Sequence, residues 1–120
     1  YNERQYLPNY HILETIAKYD NPTIKGVTGI RDYENKKSTF CNPKTALRDL
    51  ELIIQKSNFK HLILSYNSEG IMSQEDIMAL MSNYGKVAFE QFLYARFKSN
   101  NKGLSKTKKT VYEQVYILTK

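Results

Sequence analysis

One cysteine, two histidines and no long apolar run narrow what this 120-residue sequence can do. The lone Cys41 excludes an internal disulfide framework and any zinc site built on cysteine. It suits a reducing cytoplasm, and it reads as a half-buried loop residue because no spacing links it to a partner base. His11 and His61 have no second His, Cys or carboxylate at ligand spacing, which argues against a metal centre. The five glycines are scattered singly, with no glycine-rich loop of the dinucleotide-binding or P-loop kind. No apolar run approaches the roughly 18 to 20 residues of a membrane span. The opening YNERQYLPNYH is polar and aromatic, unlike a signal peptide. It has no initiator Met, so the natural N-terminus is expected elsewhere. Internal repeats and low-complexity tracts are also missing.

The hydrophobic fraction of 41% and charged fraction of 25% are those of an ordinary globular domain, and the length suits one domain with a modest core. Charge is distributed less evenly. Arg96, Lys98, Lys102, Lys106, Lys108 and Lys109 fall in one short segment without an acidic residue. They account for the whole net charge of +6. A concentrated basic loop is the footprint of a surface that neutralises phosphates. A solvated loop with no partner has the same composition, and charge leaves the two readings open.

Periodicity suggests alternating helices and strands. Residues 9–19 read as a helix capped by Asn9, with Ile12, Leu13, Ile16 and Ala17 as its buried stripe. Residues 20–42 read as a long polar loop. Asn42-Pro43 then starts a second helix, reaching about Lys56 and burying Ala46, Leu47, Leu50, Ile53 and Ile54. The run His61–Asn67 reads as a strand buried on both faces, its C-terminal end opening onto a site. Ser73 caps a third helix with Ile77, Met78, Leu80, Met81 and Tyr84 inward, the methionines as core packing. Val87–Phe97 and Thr110–Thr119 read as two strands joined by the basic loop. Most of the ten tyrosines are expected in strands and core. This is an α/β layer pattern ending in an antiparallel pair.

The segment Tyr1-Asn2-Glu3-Arg4-Gln5-Tyr6-Leu7-Pro8-Asn9-Tyr10-His11, continuing through Ile12-Leu13-Glu14-Thr15-Ile16-Ala17-Lys18-Tyr19-Asp20, resembles the stretch after Asp-Pro-Pro in adenine-specific DNA methyltransferases of the DNA adenine methylase class. The strand Leu62–Asn67 and the final hairpin, with its basic loop and Val111–Leu118 strand, are similar to later elements of that family. The first twenty residues carry most of the specificity.

The resemblance implies the C-terminal part of a Rossmann-like, S-adenosylmethionine-dependent sheet: three strands in spatial order 1-3-2, ending in an antiparallel hairpin, with about three helices. Residues 1–120 would form a partial catalytic domain, without the Phe-x-Gly-x-Gly cofactor motif or the target-recognition region. It implies methyl transfer from S-adenosylmethionine to adenine N6 in double-stranded DNA, by a bacterial, cytoplasmic and nucleoid-associated protein. Tyr1 would be the stacking residue that ends Asp-Pro-Pro-Tyr. Arg4 and Tyr6 would touch the target strand. Ser65 and Asn67 would line the substrate site at a strand's carboxyl end. Lys98, Asn101, Lys102, Lys106 and Lys108 would contact phosphates, which position the duplex without reading its sequence. With the Asp and both prolines absent, the chain alone is expected to be inactive.

The implied partners are double-stranded DNA and the missing N-terminal portion of the same protein, with no membrane. The unpaired apolar edge of Leu62–Asn67 invites a homo-oligomer, or else a partly disordered N-terminal third. A stand-alone basic α/β nucleic-acid-binding module and the small subunit of a split methyltransferase are alternatives. A restriction-modification role and a solitary methylase remain equally open.

Overall fold

The computed structural model describes residues 3–95 and 110–120. Three α-helices and two antiparallel sheets make an α/β fold, in the order α1 (Tyr6–Lys18), β1 (Ile24–Lys25), β2 (Ile30–Arg31), two short 3-10 turns, α2 (Ala46–Lys56), β3 (His61–Asn67), α3 (Gln74–Ser82), β4 (Lys86–Ala95) and β5 (Thr110–Thr119). The main sheet runs β3-β5-β4, the 1-3-2 order the resemblance implies. Leu62 sits opposite Leu118 and Leu64 opposite Tyr116, while Val87 and Phe89 face the same two β5 residues from the other side.

Strand alternation sends these residues to one face. There they meet α2 through Ala46, Leu50 and Ile54, and α3 through Ile77, Leu80 and Met81. Tyr116 is at the centre, fully buried, its hydroxyl donating to Gln114 Oε1 at 2.9 Å. Burial holds its pKa above the usual phenol range, with the nearby Glu75 acting in the same direction. The helix α2 begins at Ala46 and not at Pro43: its N-cap is Thr45, and Asn42 instead closes the turn before it, its Oδ1 accepting from the Lys44 N–H at 3.0 Å. Ser73 does cap α3, its hydroxyl accepting from the Asp76 N–H at 3.1 Å. At the far end of α2, Lys120 Nζ donates to the Ile54 carbonyl and lies over the Phe59 ring, satisfying a helix C-terminus with a cation.

Several expectations change. The first helix begins at Tyr6, and Asn9 does not cap it; its side chain instead donates to the Gln5 carbonyl at 2.9 Å. The stripe Ile12, Leu13 and Ile16 is exposed, because the hairpin and the segment after it dock on the opposite side of α1 and Leu7 is the helix's buried residue. Ile53 is also exposed. Asp49 takes a buried position on α2, accepting from the Thr39 hydroxyl and from Arg48.

The strand β3 is covered on one face only. Ile63 is 68% exposed, and among the described residues no strand pairs with the β3 edge away from β5. Of the tyrosines, Tyr66 and Tyr116 are core, whereas Tyr6, Tyr10, Tyr19, Tyr94 and Tyr112 are exposed.

Residues 20–42 are not one loop. They hold the β1–β2 hairpin, whose turn has Gly26 and Gly29 at positive φ, where a side chain is strained. The N-terminal third is likewise folded, tied together by a buried cation. Arg31, 6% exposed, reaches back to α1, donating to Asp20 at 3.1 and 2.5 Å and to the Thr15 hydroxyl at 3.3 Å. The guanidinium holds the Asp20 carboxyl below its usual range. No helix among the described residues is long and apolar enough to cross a membrane.

Candidate functional site

A cleft of about 610 Å³ lies between the start of α1 and the segment after the hairpin. Arg4, Tyr6, Asn9, Tyr10, Ser38, Phe40 and Cys41 line it. Helical spacing places Tyr6 and Tyr10 one turn apart on the same side. Their rings stack at 4.8 Å between centroids with 26° between planes. Both are about half exposed or more, so the pair presents aromatic surface to the cleft instead of filling a core.

Backbone geometry helps shape this wall. Tyr10 departs from helical dihedrals (φ −122°, ψ 19°) inside α1. The neighbouring Asn9 side chain bonds the Gln5 carbonyl, the acceptor its own N–H would use in an unbroken helix.

The opposite wall is held by paired polar contacts. Gln5 Oε1 accepts from the Ser38 N–H at 2.7 Å, and Gln5 Nε2 donates to the Ser38 carbonyl at 3.0 Å. Nearby, the Cys41 thiol donates to the Arg4 carbonyl at 3.3 Å. Cys41 is thus structural, as its lack of a partner base suggested.

A second cleft of about 360 Å³ opens at the carboxyl end of β3. Asn67, Gly70, Ser73, Gln74, Glu75 and Gln114 are among its lining residues. Asn67 Oδ1 accepts from the Glu69 N–H at 3.0 Å, closing the turn after the strand. Gln114 Nε2 donates to Gln74 Oε1 across the cleft at 3.2 Å.

The structure therefore brings Arg4 and Tyr6 together in the first cleft and puts Asn67 in the second. Ser65 lines neither; it stands exposed on the open face of the sheet, opposite Val115. Tyr1, Lys98, Asn101, Lys102, Lys106 and Lys108 lie outside the described residues. Sequence reading missed Tyr10 and Phe40 as cleft residues. The Tyr-x-x-x-Tyr spacing was a visible signal for the first, while the proximity of Phe40 depends on how the hairpin folds back.

Known proteins give the context for these clefts. The family model for D12 class N6 adenine-specific DNA methyltransferases matches residues 1–80. The type II methyltransferase M.FokI of Planomicrobium okeanokoites is 41% identical over 105 residues, covering 85% of this chain and 16% of the relative. The modification methylase StsI of Streptococcus sanguinis is 40% identical over 121 residues, 98% of this chain and 18% of the relative. The type II methyltransferase M.NlaIII of Neisseria lactamica is 36% identical, with 100% of this chain and 36% of the relative covered. The chain thus spans between about a sixth and about a third of the length of these relatives. No solved structure matches it. The match over residues 1–80 takes in all of the first cleft, and the chain belongs to the D12 class of N6 adenine-specific DNA methyltransferases.

Proposed function

We propose that this chain is the C-terminal part of the catalytic domain of a site-specific DNA methyltransferase, which moves a methyl group from S-adenosylmethionine to adenine N6 in double-stranded DNA. The observation that carries this reading is the coincidence of the family match with a cleft walled by exposed, stacked tyrosines.

Adenine N6 is a weak nucleophile because its lone pair is delocalised into the ring. Catalysis therefore requires the base to be extruded from the duplex and held on an aromatic face. Acceptors must also meet the positive charge that develops on nitrogen. In this reading Tyr1 supplies the aromatic face. Arg4 and Tyr6 contact the strand that carries the target base, and Asn67 helps shape the strand end. Lys98, Asn101, Lys102, Lys106 and Lys108 hold phosphates. The names of the relatives, type II methyltransferase and modification methylase, favour a restriction-modification role in the bacterial cytoplasm.

The methyl donor does not fit a cradle made by the described residues. Gly70, the glycine nearest the end of β3, has its free side filled by the Tyr66 ring. No step is assigned to the donor; in this reading its site belongs to other parts of the longer protein.

The same portion of a Rossmann-like sheet accounts for the surfaces left bare. Among the described residues these include Ile63 and Phe92 on the open sheet face, Ile12, Leu13 and Ile16 on α1, and the free β3 edge. We assign their burial to the remainder of the polypeptide, with a second copy of the chain as the competing occupant of the β3 edge.

The test is tritiated methyl transfer from S-adenosylmethionine to adenine-containing duplex DNA. The whole polypeptide and residues 1–120 would be run in parallel. Transfer by the whole polypeptide alone supports the reading. Transfer by neither overturns it.

A further inference from the structure

The segment from Lys36 to Cys41 lies beside α1 along much of its length, and the contacts come in reverse order. Lys36 Nζ is 3.7 Å from Glu14, Ser38 is clamped to Gln5, and Cys41 bonds Arg4. The first cleft opens at one end of this antiparallel pair, where the Tyr6–Tyr10 rings and Phe40 line it. Further along α1, at four-residue spacing from Tyr6 and Tyr10, two ammonium groups converge on one carboxylate oxygen: Lys18 Nζ at 3.1 Å and Lys36 Nζ at 3.7 Å from Glu14 Oε1.

That cluster has one more positive charge than negative. Arg31 acts on all three groups, but its own charge is matched by Asp20. The hydrogen bond from Lys18 draws the Glu14 carboxyl below its usual range, so Glu14 stays ionised and offsets one of the two ammonium charges. The contact with Lys18 pushes the Lys36 ammonium below its ordinary value, as expected for two cations sharing one anion. An additional anion would relieve that repulsion.

Resting on the DNA methyltransferase reading, we propose that this face of α1, from the cleft to the lysine pair, is a track for one strand of the DNA, with nucleobases or sugars against Tyr10 and Phe40 and phosphates on Lys18 and Lys36. From Tyr6 to Lys18 the helix axis runs about 18 Å, which equals the rise of about five base pairs along the axis of a B-form duplex. Aromatic faces beside a row of cations are the arrangement that follows a nucleic-acid backbone without reading its sequence. In sequence the track lies in the N-terminal third, far from the basic segment 96–109. Glu14 competes with a phosphate for the two lysines.

The test is binding of the whole polypeptide that contains this chain to a fluorescein-labelled duplex, measured by anisotropy across a potassium chloride series. Each lost phosphate contact lowers the slope of log affinity against log salt by about one. The double variant Lys18→Ala/Lys36→Ala is therefore expected to flatten the slope by about two and to weaken binding more than tenfold near 0.1 M salt. Tyr10→Leu weakens binding with the slope unchanged. Glu14→Gln removes the competing carboxylate and strengthens binding, the opposite of what a purely structural loss produces.

Should the double variant fold poorly by its melting curve, the sign of the Glu14→Gln effect decides. An unchanged slope in a well-folded double variant, or weaker binding by Glu14→Gln, overturns the track. Methyl transfer by the unsubstituted protein with slopes unaffected would sink the track alone. Charge-dependent binding without methyl transfer would keep the track and sink the enzyme reading.

Discussion

Gln5 and Ser38 exchange two hydrogen bonds: the Ser38 N–H reaches Gln5 Oε1 at 2.7 Å and the Gln5 amide reaches the Ser38 carbonyl at 3.0 Å. One side chain thereby acts as a surrogate strand partner and joins the two walls of the aromatic cleft across 33 residues of sequence. Gln5→Ala removes both bonds at an exposed site, where each contributes about 0.5–1.5 kcal/mol. The local opening of this wall becomes easier while the sheet core is unaffected. Hydrogen exchange should show faster exchange at Ser38 and unchanged protection in β5.

The Arg31–Asp20 contact gives the N-terminal third an acid-sensitive tie. Its folded Asp20 pKa is depressed, first by the hydrogen bond from Arg31. The stabilisation is thus fully present above the ordinary carboxylate range and is lost as pH falls through the depressed value. Asp20→Asn should therefore lower the melting temperature at pH 7 and converge with the unsubstituted protein as pH falls below the ordinary carboxylate range, through the depressed value. A gap that persists unchanged at low pH would mean that the ion pair is not what Asp20 contributes.

Gly70 lies against the Tyr66 ring so closely that a Cβ built there would occupy the ring's position. Tyr66 is buried, and its hydroxyl accepts the Met72 N–H at 3.1 Å, fixing the turn into α3. Gly70→Ala must displace that ring, at a cost of about 1–3 kcal/mol. Urea unfolding should show a lower midpoint with an unchanged slope.

Ile63 discriminates a free sheet face from a covered one. On a surface as open as the present one, Ile63→Lys changes stability by no more than about 0.5 kcal/mol. In a whole polypeptide that covers the face, the lysine is buried without a partner and the loss exceeds about 2 kcal/mol. Denaturant midpoints of the whole polypeptide with and without the substitution read this directly.

The parts of this fold that were legible are those where local signals and burial agree. Ser73 starts a helix where cap chemistry demands, and Thr110–Thr119 forms the strand that its alternation marks, whereas Asn42-Pro43 makes the turn before α2 and not its cap. What escaped reading depends on partners distant in sequence or absent from it. Ile12, Leu13 and Ile16 have a core-like period, yet none of the described residues buries them. The strand β3 has the composition of a doubly buried strand for the same reason.

The hairpin was missed because its two strands are only two residues each, and its signal was the spacing of Gly26 and Gly29 rather than an apolar run. At the cleft, Arg4 and Tyr6 were named from the resemblance. Tyr10 was not singled out from the ten tyrosines, most of which were expected in strands and core, because neither helix period nor composition shows that α1 turns this face outwards.

The central claim is most directly tested by the identity of the methylated base. Host DNA lacking its own adenine methylation would be isolated from cells expressing the whole gene, digested to nucleosides and resolved by mass spectrometry. The account predicts N6-methyldeoxyadenosine, lost when Tyr1 is replaced by Ala and with no rise in methylated cytosine. Methylated cytosine, or no methylated nucleoside at all from a folded and expressed protein, would contradict it.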